Sequence, residues 1–262
     1  MHSYLSLGGG VQSSALALMA AHGEIAPLPE AAIFADTQAE SQSVYHWLDW
    51  LERKLPFPVQ RVTAGPLAAE ALSVRTSRHG NIYQGVSVPA FIVHEGAVGV
   101  LRRQCTLDYK VIPIQRKLRE LREPWQPVEL WLGISWDEVY RMKPSRLKWI
   151  THRWPLIERR LTRGHCLEWM RKHGYPEPPR SACVFCPYHD DAEWQRLKET
   201  EPEEFRKAVR FENDLQGVLD TVSGLQGSPY LHRSCRPLAD VEFNDDPQID
   251  LFSSECEGLC GV

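Results

Sequence analysis

The chain has no apolar run approaching the roughly 20 residues needed to cross a bilayer. Its N-terminus enters an apolar strand pattern at once (Tyr4, Leu5, Leu7), leaving no room for a signal peptide. A soluble, cytoplasmic protein that engages no membrane is the expectation. No internal repeat and no low-complexity segment interrupts the sequence. Net charge is slight, −4 over 262 residues, and selects no class of partner. The Gly-Lys-Ser/Thr ending of a Walker-type phosphate loop is also missing. What is present is 43% hydrophobic content, enough for one large α/β domain or a core domain with an appendage.

The most informative stretch is Ser6-Leu7-Gly8-Gly9-Gly10-Val11-Gln12-Ser13-Ser14. A strand pattern breaks at the glycines, and Ser13-Ser14 open a helical pattern with Leu16, Met19 and Ala20 on one side. Glycines let backbone N–H groups approach an anion closely, and a helix start adds unpaired amides and a positive dipole end. Serine hydroxyls can add further donors. Gly8-x-Gly10-x-x-Ser13 also matches part of a dinucleotide fingerprint, with Asp36 placed to meet a ribose hydroxyl. A tight strand-to-helix turn with no ligand is the plainer alternative.

Ala31 to Asp36 is a continuous apolar run, as in a buried parallel strand. Thr37 to Glu40 follow it, at the end where doubly wound sheets place ligands. Val44 to Leu55 reads as an amphipathic helix, Val59 to Thr63 as a third strand and Val128 to Ser135 as a later buried strand. Residues 65–99 are poorly periodic, a long excursion of the kind that carries substrate lids. Arg75, Arg78 and His79 are its candidate substrate contacts. A mostly charged helical stretch runs from Asp190 to about Leu219.

Between Arg141 and Arg163 lie Lys143, Arg146, Lys148, Arg153, Arg159 and Arg160 against one acid, Glu158, with Trp149 and Trp154 interleaved. Such a segment can track the phosphates of RNA or DNA and offer aromatic platforms to bases. The alternative is a solvated basic face beside the acidic helix.

Seven cysteines in a non-secreted chain point to metal, cluster or redox roles rather than a disulfide framework. In Cys183-Val184-Phe185-Cys186-Pro187 a tight turn can aim two thiolates at one point. Around Cys105, the cations Arg102, Arg103 and Lys110 can lower a thiol pKa or hold phosphate or sulfate.

In this order, the stretches resemble the PP-loop ATP pyrophosphatases and, within them, the phosphoadenosine-phosphosulfate (PAPS) reductase-like family. The glycine stretch is similar to S-G-G-x-D-S-S/T, with Gly8 and Gln12 in place of the serine and aspartate. Asp36-Thr37-Gln38-Ala39-Glu40 resembles D-T-G-x-E. Arg103 to Pro113 resembles R-x-C-T-x-x-x-K-x-x-P, and Gly133 to Arg141 resembles G-x-x-x-x-E-x-x-R. The tail around Cys256 is similar to E-C-G-L-H, with one residue inserted and Cys260 in place of the histidine.

The resemblance implies a Rossmann-like α/β fold of the adenine nucleotide alpha hydrolase-like type. It has a mainly parallel sheet, helices on both faces and a cysteine-bearing helical C-terminal portion. The implied division is a nucleotide-binding domain over 1–165 and the C-terminal portion over 166–262. ATP with Mg2+ would lie on Ser6, Gly8, Gly9, Gly10, Gln12, Ser13 and Ser14, with Asp36, Thr37, Gly133 and Glu138 completing the nucleotide site. Lys110, Arg141 and Cys256 would carry the chemistry. Cys105, Cys183, Cys186 and Cys235 would hold a 4Fe–4S cluster, with Cys166 in reserve. Zinc, with His232 as an optional ligand, is the alternative metal.

The implied activity is pyrophosphate-releasing adenylation in sulfur transfer to a nucleic acid, with a sulfur donor protein and a second copy of the chain as further partners. Reduction of a sulfonucleotide by Cys256 is the alternative enzyme. A nucleotide- or metal-sensing module without turnover is the alternative of another class.

Overall fold

The structure, a computed structural model, describes residues 1–243. Cys256 and Cys260 lie outside the described residues. The chain begins with β1 (His2–Ser6), α1 (Val11–Ala21), β2 (Ala31–Asp36), α2 (Gln42–Glu52) and β3 (Val59–Thr63). The excursion that follows contains α3 (Leu67–Ala71) and two hairpins, β4 (Val74–Thr76) with β5 (Ile82–Gln84) and β6 (Phe91–His94) with β7 (Ala97–Val100). A π-helical turn, Leu107–Val111, runs into α4 (Ile112–Leu121) and β8 (Val128–Leu132). After a 3-10 turn, Trp136–Arg141, come β9 (Ile150–Arg153), α5 (Pro155–Glu158) and α6 (Arg163–Lys172). The last elements are α7 (Asp191–Thr200), α8 (Pro202–Leu219), β10 (Ser228–Tyr230) and a short 3-10 turn, Leu238–Asp240.

Five strands form one sheet in the order β3-β2-β1-β8-β9, with every neighbouring pair parallel. Successive side chains on a strand point to opposite faces. Leu5, Leu7, Ala32, Phe34 and Trp131 therefore pack with α1, α2 and α6 on one face. Tyr4, Ala31, Ile33, Leu130 and Leu132 pack with Ile114 and Leu118 of α4 on the other. Burial on both faces is why β2 reads as an unbroken apolar run. The result is an α/β fold with an all-parallel central sheet flanked by helices, consistent with a Rossmann-like architecture. Strand order reverses between β1 and β8, the kind of switch point beside which doubly wound sheets place ligands. Among the described residues, no helix is long and apolar enough to cross a membrane.

A further core joins α7 and α8 to the excursion. Trp194, Phe205, Phe211 and Leu215 cluster with Val86, Val88 and Ala90. β10 pairs antiparallel with β6, and the Phe185 and Phe211 rings stack with centroids 3.8 Å apart. The poorly periodic excursion is thus tied to the C-terminal portion by sheet pairing, a long-range contact that local periodicity does not reveal. The charged helix read as one piece is two helices, because Pro202 cannot continue α7 and instead occupies the first position of α8. The Asp190 carboxylate caps α7 by accepting from the Glu193 N–H at 2.7 Å.

One buried carboxylate staples the C-terminal portion. Glu212, 1% exposed, accepts the backbone N–H groups of Leu231 and Leu238, both at 2.6 Å. Burial pushes its carboxyl above the usual range, and the two N–H donors oppose that shift. Glu212→Gln presents an amide NH2 to one of the two donors and should cost about 1–3 kcal/mol. A urea titration should show a lower midpoint at unchanged slope. An unmoved midpoint would remove the staple from the account.

Candidate functional site

The crevice is built by two loops held in close contact. Gly9 turns the chain out of β1 at φ +83°, a conformation that favours glycine. Gly133, just past β8, lacks a side chain for a different reason. A Cβ there would sit 2.8 Å from both the Cα and the N of Ser13, so the start of α1 packs directly on the exit of β8. Ser6 is buried at the end of β1 in register with Leu132.

The hydroxyls of the loop brace it. Ser13 Oγ accepts the Gly8 N–H at 3.1 Å, and Ser14 Oγ accepts the Trp47 indole N–H at 2.9 Å. Gln12, 1% exposed, spans the crevice floor. Its Nε2 donates to Glu138 Oε2 at 3.1 Å, while its Oε1 accepts from the Arg163 guanidinium at 3.2 Å. An amide suits this place because it can donate to an anion and accept from a cation at once. A carboxylate there would have no hydrogen to offer Glu138. Glu138 is also ion-paired with the buried Arg141. A cavity of about 710 Å³ opens over these groups, with Gln12, Asp137, Glu138, Tyr140 and Arg163 on one wall and Arg180, Asp190 and Glu193 on the other. That volume is within the range of small-molecule sites.

At the end of β2, Asp36 accepts from the Gln38 N–H and the Tyr45 hydroxyl, both at 2.8 Å. Burial, and then Asp36, raise the Tyr45 pKa, so the phenol stays protonated as a donor. Gln38 adopts φ +57°, the left-handed conformation for which glycine is the least costly residue.

A second, much smaller cavity lies behind this loop. Thr37, Arg103, Cys105, Lys110, Cys183 and Cys186 line about 20 Å³, room for about one water. The cysteine loop is pinned to the residues after β2 by an antiparallel bridge between Glu40 and Cys183 and by the Val184 N–H donating to Ala39 O at 2.8 Å. The Thr37 hydroxyl and the Cys183 sulfur are 3.3 Å apart.

Lys110 Nζ, itself buried, lies 3.3 Å from Glu40 Oε1. The Ser181 hydroxyl donates to the Gly8 carbonyl and also lies 3.4 Å from Glu40 Oε2. Burial and then the Glu40 charge push the Cys183 thiol well above its ordinary pKa, with Lys110 opposing. His189 Nε2 donates to the Cys183 carbonyl at 3.0 Å, and burial pushes this imidazole down to about 3.

The expected site residues thus divide. Gln12 and Glu138 line the crevice, Ser13 and Gly133 pack against each other beside it, and Arg141, paired with Glu138, lines a different cavity. Cys105, Cys183 and Cys186 share the small cavity with Lys110 and Thr37. Lys110 therefore faces the thiols, where its charge answers Glu40. Cys235 lies in the turn after β10, its N–H donating to His232 O, and is not among the lining of the thiol cavity. Three thiols around one space are a donor set suited to a soft metal. Among the described residues, however, no three His, Cys, Asp or Glu side chains already stand in coordinating positions.

The basic segment is dispersed rather than continuous. Arg153 pairs with Glu158 and covers Trp131, and Arg159 donates to the Glu24 carbonyl. Trp149 lies under Arg119 and Arg122, and with Trp154 it packs against the sheet core. Lys143 and Arg146 line a cavity of about 240 Å³ with Arg141 and His152. In the excursion, Arg75 is ion-paired with Glu70.

Sequence reasoning did not single out Ser181 or Arg163 as site residues. A serine beside C-x2-C and one arginine among many carry no distinguishing local signal. The fold and crevice define an α/β chain with a parallel sheet and a ligand-sized opening at its switch point. No protein-family model matches the chain, and no curated protein matches it either.

Removing one member of a buried ion pair strands the other charge, at a cost of about 3–5 kcal/mol. Lys110→Met should show that loss in chemical denaturation, and adding Glu40→Leu should recover most of it. A double-variant loss equal to the sum of the two single-variant losses would show that the two groups are not coupled.

Proposed function

We propose that this chain is an ATP-dependent adenylating enzyme that releases pyrophosphate, of the PAPS reductase-like kind, working in sulfur transfer to a nucleic acid. The observation that carries this reading is the meeting of the Gly8–Ser14 and Gly133–Arg141 loops at the sheet's switch point, beneath the large cavity. A helix N-terminus preceded by glycines is a ready anion site, and Gln12 in its first turn lines that opening.

In this reading the ATP phosphates lie on the amides of Gly9, Gly10 and the first turn of α1, and Arg141 and Arg163 offset their charge. An oxygen of the acceptor attacks the α-phosphorus, pyrophosphate leaves, and the acceptor is left adenylated. A sulfur nucleophile then displaces AMP. Positioning and charge neutralisation supply most of the acceleration for in-line attack at phosphorus. Magnesium adds neutralisation of the phosphates when bound, and Asp137 and Glu138 are the carboxylates at hand to hold it.

Cys105, Cys183 and Cys186 would hold a metal centre: zinc in the space of about 20 Å³ as it stands, or a 4Fe–4S cluster if the cysteine loops part. The second reading is a nucleotide sensor without turnover. It is favoured by the engagement of Gln12, Ser13 and Ser14 with protein partners, which leaves the loop well formed for binding alone.

Purified protein given Mg2+, ATP and nucleic acid should release pyrophosphate. Arg141→Ala should slow this by roughly 10²-fold with a smaller change in ATP affinity. Tight ATP binding with no pyrophosphate from any nucleic acid would leave the sensor reading. Protein purified without oxygen should contain bound iron with sulfide, or zinc, and Cys183→Ala should lose it. Metal-free protein in both forms would overturn the assignment of the thiols.

A further inference from the structure

The 3-10 turn Trp136–Arg141 has an outer side that adenylation does not use. Trp136, Val139, Tyr140 and Met142 are 44%, 42%, 73% and 43% exposed. They follow one another along one exposed stretch, here the ridge, whose Tyr140 lines the large cavity and whose next cations, Lys143 and Arg146, line the one of about 240 Å³. The Arg160 guanidinium lies over the Trp136 ring, 5.8 Å from its centroid. Arg160 itself holds φ +55°, a costly backbone conformation for a residue other than glycine. Lys143, Arg146 and Lys148 are exposed nearby in sequence, on a chain whose net charge is negative. The turn also carries two acids: Asp137 accepts the Arg163 backbone N–H at 3.2 Å, and Glu138 is ion-paired with Arg141.

Exposed aromatic faces rimmed by cations match the chemistry of an unpaired nucleic acid strand, whose bases stack and whose phosphates need countercharge. A duplex keeps its base faces covered, and an acidic peptide offers charge but no flat ring. We propose that this ridge docks a single-stranded stretch of nucleic acid. Trp136 and Tyr140 take base faces, and Lys143, Arg146 and Arg160 take phosphates, which presents the strand to the neighbouring crevice. This rests on the nucleic acid acceptor of the reading above and assigns the surface that holds it.

The test is fluorescence anisotropy of a labelled single strand of about a dozen nucleotides with the full chain and no ATP. The single strand should bind more tightly than its duplex. Trp136→Ala and Tyr140→Ala should each weaken binding about 5- to 100-fold, and Trp136→Phe should restore most of the loss. Lys143→Ala and Arg146→Ala should each lower the slope of log affinity against log salt by about 0.7. Preference for the duplex, unchanged affinity in both ring variants, or tighter binding of an acidic peptide of equal charge would overturn the assignment. No strand binding with pyrophosphate release intact would sink this inference alone. Strand binding as expected without pyrophosphate release would sink the adenylation reading alone.

Discussion

The site depends on one buried ion pair, Lys110 with Glu40. Neither charge has bulk water to fall back on, so each must be answered by the protein. Glu40 belongs to the loop leaving β2, and Lys110 belongs to the π-helical turn before α4. The Ser181 hydroxyl, just before the cysteine loop, reaches both the Gly8 carbonyl and Glu40. Four stretches of chain distant in sequence are therefore fixed relative to one another through a few polar atoms. The apolar cores set the layers, and this network sets the alignment of the loops above them.

The same network joins the two cavities. Gly8 starts the loop that floors the large crevice, and Cys183, bridged to Glu40, lines the small one. A change of charge among the thiols would be felt at Glu40, whose field already raises the Cys183 pKa. From there one hydroxyl leads to the glycine loop. This is a contiguous physical route between the thiols and the glycine loop, made of neighbouring charges and hydrogen bonds.

How much of this was legible in the sequence depended on whether the signal was local. β2 and β3 were read to the residue, β2 because burial on both faces leaves a continuous apolar run and β3 because β-branched residues stand among polar ones along a half-exposed edge strand. The glycine loop was legible because glycine has few reasons to cluster between a strand and a helix. The excursion was not resolved into hairpins, since β6 finds a partner in β10 well over a hundred residues later. The tryptophans of the basic segment read as free platforms, yet Trp149 and Trp154 pack on the core. The exposed rings lie just upstream, in a turn too short for any periodicity. Ser181 and Arg163 acquire meaning only from what the fold places opposite them.

The pairing of β10 with β6 also fixes an order of events. A chain made from its N-terminus presents Cys105 long before residues 228–230 exist to complete the outer three-stranded sheet. Cys183 and Cys186 likewise precede α8, whose Phe211 stacks on Phe185 between them. The thiols and every other residue lining their pocket lie between Thr37 and Pro187, so that lining is made before α8 and β10 come to back it.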